Sequence, residues 1–227
     1  MIKKYGIDIG QADAEINKQI EANLKAYYDE MGSYRVIFTG TPKDYTLKVN
    51  ESLYKLTLEA AVKVNSTMNI DMDIKNIDFH NETINKWMFS GYVVDGTENI
   101  FINIIFPQDK IKTIGEMSFD NLYNTKEIVI PDSVISIGKS AFANSHLEKV
   151  TISASVKEIK GSAFNTSRKL KTLIYLGTSP NDINYQSDSF LYCDNLTILI
   201  LPNVPNPDYN TWKNFLGCNF TEVKQHE

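Results

Sequence analysis

The sequence predicts an α+β protein: an N-terminal helix and a small α/β region, followed by a short β-solenoid-like repeat domain. Three observations carry this. An apolar stripe at three- and four-residue steps opens the chain. Strand-like runs, one of them strictly alternating, come next within residues 33–98. From Phe101 to Phe215 one spaced phrase returns again and again, with the period that marks a solenoid. The chain therefore divides into residues 1–32, 33–98 and 99–227.

Gln11 to Met31 reads as the helix. Ala12, Ile16, Ile20, Leu24, Tyr27 and Met31 form one stripe, Glu15, Lys18, Glu21, Lys25 and Asp29 fill the other face, and Gly32 ends it. The stripe has two uses open to it: packing on its own domain, or a short coiled coil through residues 11–31 that makes a homo-oligomer.

Within 33–98, Tyr34–Thr39 is β-branched and aromatic and closes at a Gly40–Asp44 turn, and Tyr45–Val49 is a second short strand. Ser52–Val64 fits a helix through Leu53, Leu56, Ala60 and Val64, and a strand through Tyr54, Leu56 and Leu58; helix is preferred, starting at Asn50-Glu51-Ser52. Asn69–Lys75 alternates, so Ile70, Met72 and Ile74 face inward and the acids Asp71 and Asp73 line the wet side; with Asp78, His80 and Glu82 they make no metal site. Trp87–Val94 is apolar and ends at Asp95-Gly96-Thr97. Residues 33–98 are either a small domain or degenerate repeats capping the solenoid.

Composition narrows the function. At 227 residues, 42% hydrophobic, 22% charged and a net charge of −5, the chain is an ordinary globular one without the basic patch of a nucleic-acid binder. No apolar run reaches membrane-helix length, and no apolar segment comes after Lys3-Lys4 to make a signal peptide. Two cysteines, Cys193 and Cys218, are too few for a disulfide framework or a metal-ligand set.

The repeats occupy the rest. Ile104, Ile128, Val150, Leu173 and Leu199 head successive copies, at steps of 24, 22, 23 and 26 residues. Between copies lies a second phrase: Ile114–Phe119, Ile137–Phe142 and Ile159–Phe164. Alternation turns Ile128 and Ile130 inward and Val129 outward. A proline such as Pro131 stops the ladder. Val134–Ile137 then crosses the opposite side, Gly138 allows a tight bend, and Ala141-Phe142 plugs the core between coils. After the fourth strand the Ile-Gly pair is lost, and Gly177–Asp182 adds a loop before Phe190.

This register, clearest from Ile114-Gly115 through Pro131-Asp132-Ser133-Val134 to Ala141-Phe142, resembles the BspA-like leucine-rich-repeat family over residues 99–217. Its repeat reads roughly I-G-x-x-A-F-x-x-C-x-x-L-x-x-I-x-I-P-x-S-V-x-x-I. The family cysteine position falls on Leu122, Ser145, Ser167 and Cys193, which makes Cys193 a buried packing residue, as free cysteines usually are. Pro205, Tyr209, Trp212 and Phe215 are similar to the family's closing unit. The resemblance implies a ladder of parallel strands about 4.8 Å apart with one face exposed. The central outward column is Ile105, Val129, Thr151, Ile174 and Ile200. Beside it run Asn103, Glu127, Lys149, Thr172 and Ile198, then Ile102, Lys126, Glu148, Lys171 and Thr197. Opposite charges at Glu127/Lys149 and Lys126/Glu148 sit side by side, worth about 0.2–1 kcal/mol each. The apolar column reflects either β-propensity or a partner-binding strip.

The family implies a non-enzymatic recognition module, surface-associated and adhesive, taking a protein or glycan ligand on this face, with no cofactor. A second reading is a structural subunit of a virion or surface appendage, assembled through the N-terminal helix. A third, enzymatic reading finds no phosphate loop, no nucleophile elbow and no motif around His80, His146 or His226.

Overall fold

The computed structural model describes residues 1–45 and 52–226. The chain begins with helix α1 (Ile2–Tyr5), strand β1 (Gly6–Asp8), helix α2 (Asp13–Met31), strand β2 (Tyr34–Gly40), helix α3 (Leu53–Val64) and strand β3 (Thr67–Ile77). β1, β2 and β3 pair in parallel. Parallel neighbours need a crossover connection, and α2 and α3 supply the two crossovers. α2 ends at Gly32, whose left-handed φ of 68° lets its N–H bond the carbonyl of Tyr28. α3 begins at Ser52, whose hydroxyl accepts from the Lys55 N–H at 3.0 Å. The expected strand at Tyr45–Val49 falls on residues outside the described ones, Tyr45 excepted.

The α2 stripe is used inside the chain. Ile16, Ile20 and Leu24 are fully buried in the main core, Tyr27 is buried in a small separate cluster with Tyr5 and Ile37, and Met31 is left in solvent. Of the two uses open to the stripe, packing on its own domain is the one these residues serve.

β3 holds a correction. Ile70, Met72 and Ile74 point inward as alternation requires, but Asp73 is buried with them. It accepts from the Arg35 guanidinium on β2 at 2.6 Å, and a register shift in the β2–β3 ladder lies beside it. A carboxylate in that position needs a paired charge, and Arg35 provides it. Asp71 stays at the surface, accepting from Asn103 at 3.0 Å.

From β3 onward the chain alternates between a second sheet on one side and the first, then a third, on the other. β4 (Thr83–Ile84), β6 (Thr113–Ile114), β8 (Ser136–Ile137), β10 (Glu158–Ile159) and β12 (Asn184–Tyr185) form one parallel sheet. β5 (Asn99–Ile105) joins β3, extending the first sheet. β7 (Glu127–Val129), β9 (Lys149–Ile152), β11 (Thr172–Tyr175), β13 (Ile198–Ile200) and β14 (Glu222–Lys224) make the third. The first and third sheets meet where the Ile102 N–H bonds the Asn124 carbonyl at 2.8 Å and Thr125 Oγ1 bonds the Ile102 carbonyl at 2.9 Å. The two-sheet alternation thus starts at Thr67, and the sheet begun by β1 runs across position 98/99.

Residues 83–90, expected as a plain apolar stretch in their second half, form the first coil turn. Phe89 stacks on Phe119 at 5.1 Å, and the series continues through Phe142 (5.3 Å), Phe164 (5.1 Å) and Phe190 (4.8 Å), with ring planes within 10° of each other. These five rings are the spine of the core. The bends around them depend on left-handed residues other than glycine: Trp87, Met117, Ser140 and Ser162 before the ring, and Asn121, Asn144, Thr166 and Tyr192 after it. Gly138 is not one of them. A Cβ there would lie 2.7 Å from the Gly115 carbonyl carbon, so glycine is required by the close approach of neighbouring coils. Where the Ile-Gly pair is lost, β12 still pairs in register with β10, but Asn184 and Tyr185 are exposed.

The C-terminal end is closed as the family pattern implies. Short helix α4 (Tyr209–Trp212) brings Trp212 and Phe215 against Tyr175, with ring centres 6.1 and 4.8 Å away. β14 then adds a strand beyond the last repeat expected from the spacing.

Candidate interaction face

The outward side of the third sheet is assembled by register. Val129, Thr151, Ile174 and Ile200 are cross-strand neighbours, and Lys224 completes their row on β14. Glu127, Lys149, Thr172, Ile198 and Glu222 make the next row. Among the described residues no ladder pairs Ile105 with Val129; Ile105 pairs with Asp73 in the first sheet and is half-buried.

Exposure grades along the row. Val129 is 59% exposed, Thr151 and Ile174 are half-buried, and Ile200 is 3% exposed. The exposed apolar column expected from the sequence is therefore real at its Val129 end and closed at its Ile200 end. The added strand explains the change, since β14 sets Lys224 directly beside Ile200.

The flanking charges also divide. Lys149 Nζ and Glu127 lie 3.3 Å apart, the expected pair. Lys126 sits instead over the Phe101 ring at 4.3 Å, a cation–π contact, and among the described residues no ion pair joins it to exposed Glu148.

Beside this half of the sheet lies an open concavity of about 520 Å³. Ile198, Ile200 and Thr172 line it from the strands. Arg168, Lys169, Lys171 and Asn195 come from the turns leading into the strands, and Lys149, Lys224, Glu127 and Glu148 complete the rim. Lys224 pairs with Glu222 at 2.8 Å. Lys169 Nζ lies 3.3 Å from His146 Nδ1; burial, reinforced by that cation, lowers the His146 pKa. Strand alternation could not assign the turn residues Arg168 and Lys169 to the face. The signal that could have found them is their closeness in sequence to Lys171, three cations within four positions.

The Cys193 thiol is pushed up to about 12 by burial and reaches the Phe164 carbonyl at 3.1 Å; Ser167, at the same repeat position, donates to the Phe142 carbonyl at 3.1 Å. Both tie one coil to the next. No group of three His, Cys, Asp or Glu side chains among the described residues could hold a metal ion, and no helix among them is long and apolar enough to cross a membrane.

No curated protein matches the chain. A solved structure of a leucine-rich repeat protein from Eubacterium ventriosum matches at 14% identity and a TM-score of 0.41, covering 86% of this chain and 57% of that one. The chain thus spans just over half the length of that protein. Six copies of the BspA type leucine rich repeat region match residues 96–224, more than half of the sequence. The two-sheet coils, the phenylalanine spine and the bonds at the cysteine position agree with that match: the chain belongs to the BspA-type leucine-rich-repeat family.

Proposed function

We propose that this chain is a non-enzymatic recognition module that binds a protein partner on the outward face of its third sheet. The family commonly mediates protein interaction. The observation that carries the reading is the row Val129, Thr151, Ile174, aliphatic and exposed at one end, beside a charged rim on a rigid parallel ladder. Exposed apolar surface edged by polar groups is the usual form of an interaction site. Attachment at a cell surface, with an adhesive role, is the finer reading that the family suggests. The test is an array of candidate proteins and glycans probed with wild type, Val129→Asp and Ile174→Asp. Protein partners that lose binding to both variants are the expected result. Variants that bind every partner as wild type does count against the row, and a response confined to glycans counts against a protein ligand.

A further inference from the structure

The chain is acidic overall, yet the concavity on the third sheet is basic: five cations and two carboxylates line it, a balance of three positive charges in a protein of net charge −5. The cations differ in how they are engaged. Lys149 and Lys224 have carboxylate partners on the same sheet. Arg168 and Lys171 have neither an ion pair nor a side-chain hydrogen bond among the described residues, and Lys169 contacts only the His146 ring. These three lie on one turn and the strand start after it, and all three line the concavity. Its apolar lining is Ile198, half-buried, with Ile200 beneath it at 3% exposure.

We propose that this concavity seats an extended acidic segment of a partner protein, with carboxylates on Arg168, Lys169 and Lys171 and an apolar side chain on half-buried Ile198. The inference rests on the recognition reading above and specifies the chemistry of its partner. Charge complementarity selects the sign of the ligand. The apolar lining and the two glutamates select its type. A uniformly charged polyanion would set negative groups against both Ile198 and Glu148, whereas an acidic peptide alternates carboxylates with apolar side chains. Arg168 adds a planar fork suited to a single carboxylate.

The test uses the full chain and a short labelled peptide of alternating Asp and Leu, with a Lys/Leu peptide and a heparin fragment as comparisons. The Asp/Leu peptide binds, the Lys/Leu peptide does not, and raising the salt weakens the complex. Arg168→Glu with Lys171→Glu weakens binding about tenfold or more. Lys139→Glu with Lys157→Glu, the same charge change placed away from the face, leaves it within about twofold. Circular dichroism confirms that both double variants fold. The proposal is overturned if the Asp/Leu peptide does not bind, if the two double variants lose binding equally, or if the heparin fragment binds and the peptide does not. A partner that depends on Val129 but binds the Arg168/Lys171 variant as well as wild type overturns this inference and leaves the recognition reading standing. An array with no Val129-dependent partner counts against that reading and not against a peptide that titrates as described.

Discussion

Replacing Phe142 by Leu tests whether the stacked rings hold the coils together. Phe142 is fully buried between Phe119 at 5.3 Å and Phe164 at 5.1 Å. Each ring pair contributes about 0.5–1.5 kcal/mol beyond the burial of its area. Leucine keeps most of the apolar volume and removes both pairs, so the expected loss is about 1–3 kcal/mol. Phe190 has one neighbour in the stack, Phe164, and Phe190→Leu loses about half as much. Phe119 has three neighbours, since Phe106 also lies 5.5 Å away, and its leucine variant loses the most. Equilibrium urea unfolding reads the series. With a slope of roughly 2–3 kcal/mol per molar, a loss of about 2 kcal/mol lowers the midpoint by about 0.7–1 M. The expected order is Phe119, then Phe142, then Phe190. Equal shifts at Phe142 and Phe190 would refute the reasoning, because buried area alone would then account for the cost.

Two further predictions concern the coil turns. Gly138→Ala sets a Cβ 2.7 Å from the Gly115 carbonyl carbon, where both sides are backbone, and costs about 1–3 kcal/mol. Gly161→Ala meets the ends of the Gln186 and Asp188 side chains, which can move, and costs less; the reverse order of urea midpoints would sink the close-approach account of Gly138. Asp120 has one carboxylate oxygen buried without a hydrogen-bond partner, and burial raises its pKa. A carboxyl whose folded pKa is raised favours the fold fully below its unfolded pKa, and that contribution is lost as pH rises through the folded value. Asp120→Asn, which stays neutral, is therefore expected to have a higher urea midpoint than wild type at pH 7, with the gap closing as pH falls toward the ordinary carboxyl range. A gap of the same size at pH 7 and in that range excludes the carboxylate charge as its source.

Much of the repeat region was legible because its two phrases recur in turn and hold register with each other. Ile114, Ile137 and Ile159 fall in one sheet and Ile128, Val150 and Leu173 in the other, as alternation required. The start of the solenoid was harder to see, because Ile84-Asn85-Lys86-Trp87-Met88-Phe89 keeps only the isoleucine and the phenylalanine of its phrase. Those two are the residues that packing demands: Ile84 is fully buried in the second sheet, and Phe89 begins the ring stack. The position that holds Gly115 and Gly138 in the next two copies is Asn85 here, so no glycine marked the bend. Asp73 was misplaced because the side of a strand does not fix exposure. The ladder keeps its register through Ile37–Asp73, so alternation gave its side; its burial comes from its neighbours Ile37 and Ile105 and from the Arg35 guanidinium held against it.

The face itself shows what alternation can and cannot deliver. It assigned Val129, Thr151, Ile174 and Ile200 to one side of one sheet, and their pairing is as expected. Exposure does not follow from side, because a residue's neighbours on both flanking strands decide how much of it water reaches. β14 carries one aliphatic residue, Val223, in place of the usual pair and so shows no strand signal, yet it pairs with β13 over three residues and flanks Ile200. The consequence is a division of labour along one row. Val129 and Ile174 can be changed to aspartate at a surface, which makes them fair probes of binding. Ile200→Asp would bury a charge at a site 3% exposed, and a loss of binding there would report unfolding. The same closure of the apolar row moves the centre of the face toward Arg168, Lys169 and Lys171, whose positions come from turns and not from strand period.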